Sequence, residues 1–192
     1  MYPSAVIQDA ERYSDSSEFA LVHPRRFFHI AEPTFSILFL CRWNSGRSIF
    51  AEYFMKQLGS PRFKAFSAGV TPLGKVSSIT VKVLSDKYQI DASNARSKSW
   101  HEFQDQTLDF IVSLSEEAEV TSHAFPGKPI LANWPFRDPS KTQGSPKEVE
   151  DNYFRVAASI RYRLQLFNNL SFDQLDRLRL ETSMRRLGQS DS

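Results

Sequence analysis

The chain contains one cysteine, Cys41, in 192 residues, and only four histidines. A single thiol excludes an intramolecular disulfide, so the apolar core has to hold the fold. The histidines (His23, His29, His101 and His123) have no ligand spacing with one another or with Cys41, so no metal site is expected. Long apolar runs are also missing. None approaches the ~20 residues needed to cross a bilayer, and the N-terminus lacks the basic start and apolar stretch of a secretory signal. These absences predict a cytoplasmic protein with no membrane partner. Net charge is small at +2, too weak a field to demand a nucleic-acid partner, while small anionic ligands remain open. No G-x-S-x-G elbow occurs around Ser45, Ser67 or Ser113, which argues against a serine hydrolase.

The apolar content is sufficient for one core: 41% hydrophobic residues over this length predict a single domain with appendages. Residues 1–34 carry Pro3, Pro24 and Pro33 and no sustained periodicity, and read as an irregular arm. Its segment "HPRRFFHI" is expected to pack on its own domain, with contact to a second copy of the chain, giving a homodimer, as the other use. Beyond it, strand-like runs at Phe35–Leu40, Phe63–Phe66, Leu108–Leu114 and Pro129–Trp134 alternate with helical spacing at Ser48–Leu58 and Ser78–Tyr88. Ser145-Pro146-Lys147-Glu148 is a capping box that opens a helix with Phe154, Ala157, Ile160, Leu164 and Phe167 facing inward. Ser171 to Gln174 opens a last helix in the same way. The alternation predicts an α/β fold: a single three-layer domain over residues 35–187, with a four-stranded parallel sheet and helices on both faces. Residues 188–192 are expected to form a flexible tail.

In such a fold, ligands bind beyond the carboxyl ends of the strands, and Cys41 lies at one of those ends. After the first strand, Cys-Arg-Trp-Asn-Ser-Gly-Arg-Ser wraps a tight turn whose amide N–H groups can converge, and the next helix adds the positive end of its dipole. A thiol held in such a nest ionises readily and becomes a nucleophile. Arg47 offers a planar fork of donors for two oxygens of a tetrahedral oxyanion. Ser48 is placed to hydrogen-bond the thiolate, and Asn44 tolerates the left-handed backbone that a tight loop requires. Arg42, Trp43, Asn44, Ser45 and Gly46 together form the predicted oxyanion-binding loop. Against this stands the common state of a free cysteine, a small buried hydrophobe.

The segment "ILFLCRWNSGRSIFAE" resembles the active-site loop of the low-molecular-weight protein-tyrosine phosphatase superfamily, and its N-S-x-R-S-x-x-A-E form is closer to the arsenate-reductase branch. "FSAGV", "ARSKSWHEF", "LDFIVSLS", "FPGKPILANWPFRDP" and "RVAASIRYRLQLF" extend the resemblance over residues 35–187. It implies Cys41 as nucleophile, Arg47 as oxyanion clamp, Ser48 as thiolate partner and Asp138 as general acid. The competing reading of Asp138 is a turn residue before proline. The resemblance also implies that Ser67 supports Asn44. In potassium-binding members of that branch, a cation is held by the residues corresponding to Asn44, Glu52 and Ser67. Where those members place a carboxylate, this chain has Lys98, whose ammonium either replaces the ion or is solvated, as most lysines are. Glu52 is read as a loop brace or a solvated carboxylate, not as a catalyst.

Three departures bear on substrate. Trp43 stands where a glycine is usual and Arg42 precedes it, which predicts a bulkier, more cationic rim. Ser140 and Lys141 follow Asp-Pro where phosphotyrosine-preferring members carry aromatics. Ser115 and Ser122 occupy the places of two relay cysteines, so an internal disulfide cascade is excluded. Three readings follow. One is a phosphomonoesterase acting through a cysteinyl-phosphate without cofactor. Another is an arsenate reductase completed by an external thiol such as glutathione, mycothiol or a glutaredoxin. The third is a phosphate-binding protein with weak turnover.

Overall fold

In the computed structural model, the residues described are 35–170, 172 and 177–189. The N-terminal arm and the Ser171–Gln174 cap both fall outside them, apart from Phe172. Four strands, β1 (Phe35–Cys41), β2 (Phe63–Gly69), β3 (Phe110–Ser113) and β4 (Ile130–Asn133), form one parallel sheet in the order β2-β1-β3-β4. The helices are α1 (Arg47–Leu58), α2 (Ser78–Tyr88), α3 (Glu116–Ser122), α4 (Pro146–Asn168) and α5 (Arg177–Gln189). The chain leaves β1 for β2 on one side, and β3 pairs with β1 on the other. The loop after β1 therefore sits at the switch point of the sheet, where strand connections diverge and leave a crevice.

Central position explains the composition of β1. Ile37, Leu38, Phe39 and Leu40 are each 0% exposed, because both faces are covered. Ile37, Phe39 and Cys41 alternate onto the larger core, built with α1, α2, α4 and α5. Leu38 and Leu40 face a smaller one containing Phe103, Leu108, Ile111, Ala118 and Phe125. Cys41 thus ends its strand on the α1 side.

Several expectations shift. β2 runs on through Ser67, Ala68 and Gly69, so the S-A-G segment is the end of the strand and does not follow it. The short, acid-rich α3 carries only Ala118 and Ser122 as buried residues, too little apolar signal to mark a helix in sequence. The Ser145 capping box forms as expected, Ser145 accepting from the Glu148 N–H. The inward face of α4, however, starts from Tyr153, not from Phe154, which is 38% exposed. The ring of Phe154 lies on the surface against Tyr88, within reach of the Lys87 ammonium. Gly188 and Gln189 belong to α5, so the tail expected from 188 does not begin there. Gly188 is required where it stands, because a side chain there would collide with the Asn133 carbonyl. The Trp134 indole N–H adds a 2.9 Å bond to the Met184 carbonyl, fixing α5 to the end of β4. No helix among the described residues is long and apolar enough to cross a membrane.

Candidate active site

The Cys41 loop is shaped from outside. Its carbonyls accept hydrogen bonds from the segment that follows β2: Val70 N–H reaches the Cys41 oxygen at 3.0 Å, Thr71 reaches Arg42 at 2.8 Å, Leu73 reaches Trp43 at 3.1 Å and Ser77 reaches Ser45 at 3.0 Å. With the carbonyls drawn outward, the amides turn in. Those of Arg42, Trp43, Ser45 and Gly46 have no acceptor among the described residues, and Asn44 N–H points to Cys41 Sγ at 3.3 Å. Asn44 adopts the left-handed backbone expected of it, with φ 46°. The close approach of loop and strand depends on Gly69, since a Cβ there would come within 2.9 Å of the Asn44 nitrogen and 3.0 Å of the Trp43 carbonyl carbon. That is the physical content of the glycine in "FSAGV".

Behind the loop, a chain of hydrogen bonds has a single consistent polarity. The Lys98 N–H donates to Asn44 Oδ1 at 2.6 Å, which fixes the orientation of that amide. Asn44 Nδ2 then donates to Ser67 Oγ at 2.9 Å and to Ser48 Oγ at 2.8 Å. The Ser67 hydroxyl donates to Glu52 Oε2 at 2.5 Å. Ser48, already accepting from Asn44, has its own proton free for Cys41 Sγ 3.0 Å away. The sulfur therefore faces two donors, the Ser48 hydroxyl and the Asn44 N–H.

Glu52 anchors this chain. Its Oε2 lies 3.1 Å from the Lys98 ammonium and its Oε1 is 2.5 Å from Lys56. Burial pushes the Glu52 carboxyl up, but the Lys98 charge, the Lys56 and Ser67 hydrogen bonds and the Lys56 charge outweigh it, so it lies below the ordinary carboxylate value. Lys98 is 9% exposed and also donates to the Arg96 carbonyl at 3.3 Å. The structure thus brings Asn44, Glu52, Ser67 and Lys98 together. Glu52 is buried there, not solvated.

Arg47, the first residue of α1, is 6% exposed. Its Nη1 donates to the carbonyls of Phe136 at 2.9 Å and Leu114 at 3.3 Å, and its Nη2 to Asp138 Oδ2 at 3.1 Å. The other Asp138 oxygen accepts from the Ser140 N–H at 3.0 Å and its hydroxyl at 2.7 Å. Asp138 is therefore both the cap of the 139–141 turn and a carboxyl paired with Arg47 beside the loop. On the rim, Arg42 lies 4.3 Å above the Trp43 ring and 3.0 Å from Glu117, so part of the added positive charge is neutralised.

Two cavities meet at the Arg47–Asp138 pair. A slot of about 30 Å³ over Cys41 is walled by Trp43, Leu73, Pro139, Ser140 and Tyr153. A cleft of about 900 Å³ on the other side is bordered by Arg42, Glu117, Arg137, Lys141 and Arg155. Ser115 borders the cleft, while the Ser122 hydroxyl is turned to the Glu119 carbonyl at 2.6 Å. Sequence reading missed Gly69, Leu73, Glu117 and Tyr153. A glycine following S-A was the one signal available, because the other three reach the site from separate elements. Among the described residues, no group of His, Cys, Asp or Glu side chains is arranged to hold a metal ion.

Residues 36–126 match the family of low molecular weight phosphotyrosine protein phosphatases. A protein named arsenate reductase from Shouchella clausii is 32% identical over 131 residues, covering 68% of this chain and 93% of that one. An arsenate reductase structure from Archaeoglobus fulgidus superposes with a TM-score of 0.58 at 25% identity, covering 70% of this chain and 99% of the other. A low molecular weight protein tyrosine phosphatase structure from T. tengcongensis shares the fold with a TM-score of 0.56 at 24% identity, over 67% and 94% of the two chains.

Proposed function

The chain belongs to the low molecular weight phosphotyrosine protein phosphatase family, on its arsenate-reductase-like branch, and from that membership we propose that it is a cysteine-dependent hydrolase of phosphate monoesters. The observation that carries this reading is that the amides of Arg42, Trp43, Ser45 and Gly46, in the loop that follows the only thiol of the chain, have no acceptor among the described residues. Cys41 attacks phosphorus in line, the phosphorus–oxygen ester bond breaks, and the loop amides with Arg47 hold the three equatorial oxygens. Asp138 protonates the departing oxygen. Water, giving a proton back to Asp138, then attacks the cysteinyl-phosphate, and the thiolate leaves with Ser48 donating to it. No further thiol is needed. Lys98 serves as a fixed cation that keeps Glu52 ionised and the loop in place.

The names of the curated relatives favour a second reading, arsenate reduction. Attack of Cys41 on arsenate forms a sulfur–arsenic bond as one arsenic–oxygen bond breaks and its oxygen, protonated, leaves as water; reductive cleavage of that adduct needs further thiols, which must come from outside this chain. One pair of assays separates the two: phosphate release from an aryl phosphate, and arsenate-dependent consumption of glutathione, mycothiol or reduced glutaredoxin. Ester hydrolysis without arsenate-dependent thiol oxidation is the expected result. The converse would overturn the phosphatase reading.

A further inference from the structure

Tyr153 reaches the slot from α4. It is 5% exposed, on the buried face of its helix, and the surface it lines is the slot over Cys41. At Gly46, a Cβ would stand 3.7 Å from Tyr153 Cε1, 3.6 Å from Thr80 Oγ1 and 3.9 Å from Pro139 Cγ. The loop therefore leaves one side chain's width open at Gly46, and the edge of the Tyr153 ring faces it. The Tyr153 hydroxyl has no hydrogen-bond partner among the described residues, yet it is not sealed off as a fully buried orphan. For packing alone the hydroxyl gains nothing over phenylalanine, since no group of the protein bonds to it.

We propose that Tyr153 touches the substrate, its O–H donating to an oxygen of the tetrahedral anion held by the Cys41 loop. The ligand class is an unsubstituted oxyanion head, either inorganic phosphate or arsenate or the terminal group of a monoester. A slot of about 30 Å³ accepts that head and leaves the remainder of an ester outside. The Arg47 guanidinium is partly committed to two carbonyls and Asp138, so a donor from the α4 wall adds to what the loop supplies. The proton stays on Tyr153 throughout, and Asp138 alone serves the leaving group. The proposal rests on reading the Cys41 loop as an oxyanion site.

The test is Tyr153→Phe, which removes one oxygen and keeps the ring. Calorimetric titration with inorganic phosphate should show the Kd rising about 10-fold, the usual scale for one hydrogen bond to a charged acceptor. The KM for an aryl phosphate should rise in parallel, and the melting temperature should not fall. Tyr153→Met, which removes ring and hydroxyl together, should show the same loss of phosphate affinity with a lower melting temperature. Parental phosphate affinity in Tyr153→Phe overturns the proposal, whatever happens to its stability. A parent protein that binds phosphate but hydrolyses no ester defeats the phosphatase reading, and phosphate affinity still decides the role of Tyr153. A parent that binds no phosphate defeats both.

Discussion

Behind the Cys41 loop, Asn44, Ser48, Glu52, Ser67 and Lys98 are all at most 9% exposed and bonded to one another, whereas in front of it Arg42 and Trp43 are half-buried and Ser140 and Lys141 stand exposed. The buried side has one allowed polarity, running from the Lys98 amide through Asn44 to Ser48 and the thiol. The open side has an exposed ion pair, Arg42 with Glu117, and a ring beneath it. Low dielectric makes each inner hydrogen bond strong and each vacancy expensive, while solvent screens the rim. The difference suggests a division of labour. The inner residues fix the chemistry and the fold of the loop, and the outer ones adjust which molecule is admitted.

Asp138 stands on the boundary between the two, so its replacement gives the largest effect short of losing the nucleophile. Asp138→Asn should slow esters with basic leaving groups by about 10²- to 10⁴-fold and activated aryl phosphates much less. A leaving-group series of kcat/KM values checks this; equal losses across the series would make Asp138 a turn residue alone.

The inner side is sharpened by Lys98 and Glu52. Lys98→Ala removes one partner of a buried pair, and a loss of about 3 kcal/mol in chemical denaturation is expected. Added potassium should restore part of it, while the parent should be indifferent to exchange of potassium for a large organic cation. The pH dependence follows from the lowered Glu52 carboxyl. The unfolded chain binds that proton more readily than the folded one, so the stabilisation is complete above about pH 4.5 and fades as the pH falls through the folded value. Glu52→Gln should lack this acid-side slope; a variant that keeps it would place the titration elsewhere.

The rim should give the smallest effect. Arg42→Ala breaks an exposed pair whose side chains are 41% and 47% accessible, and stability should change by less than about 1 kcal/mol. Its signature is a change in KM that shrinks with added salt, with kcat held. A fall in kcat matching that of an inner variant would erase the distinction between the two sides.

How much of this was legible in the sequence follows the same division. Strand, loop and helix from Phe35 to Leu58 are contiguous, and an anion nest needs its parts close together, so Cys41, Asn44, Arg47 and Ser48 could be read directly. Ser67, Lys98 and Asp138 were reached only through resemblance, because the hydrogen bonds that give them meaning span 23, 54 and 91 residues. Tyr153 was passed over for its neighbour. The apolar pair Tyr153-Phe154 fits a helical stripe in either phase, and only the packing of α4 on α1 and the loop decides which ring turns inward. Gly69 carries no pattern of its own, since its role lies in the atoms of Asn44 and Trp43 that come within 3 Å of a missing Cβ.

The central claim is that Cys41 carries the phosphoryl group, and the most direct measurement is rapid acid quenching of the enzyme with an aryl phosphate, followed by mass analysis of the Cys41 peptide. That peptide should gain one phosphoryl group, and more of it in Asp138→Asn with an activated ester, where loss of the base that assists water lets the intermediate accumulate. Cys41→Ser should show neither steady turnover nor a phosphoryl–sulfur bond, while still binding inorganic phosphate. Unchanged hydrolysis by Cys41→Ser, or a phosphoryl group found on another residue of the parent, would contradict it.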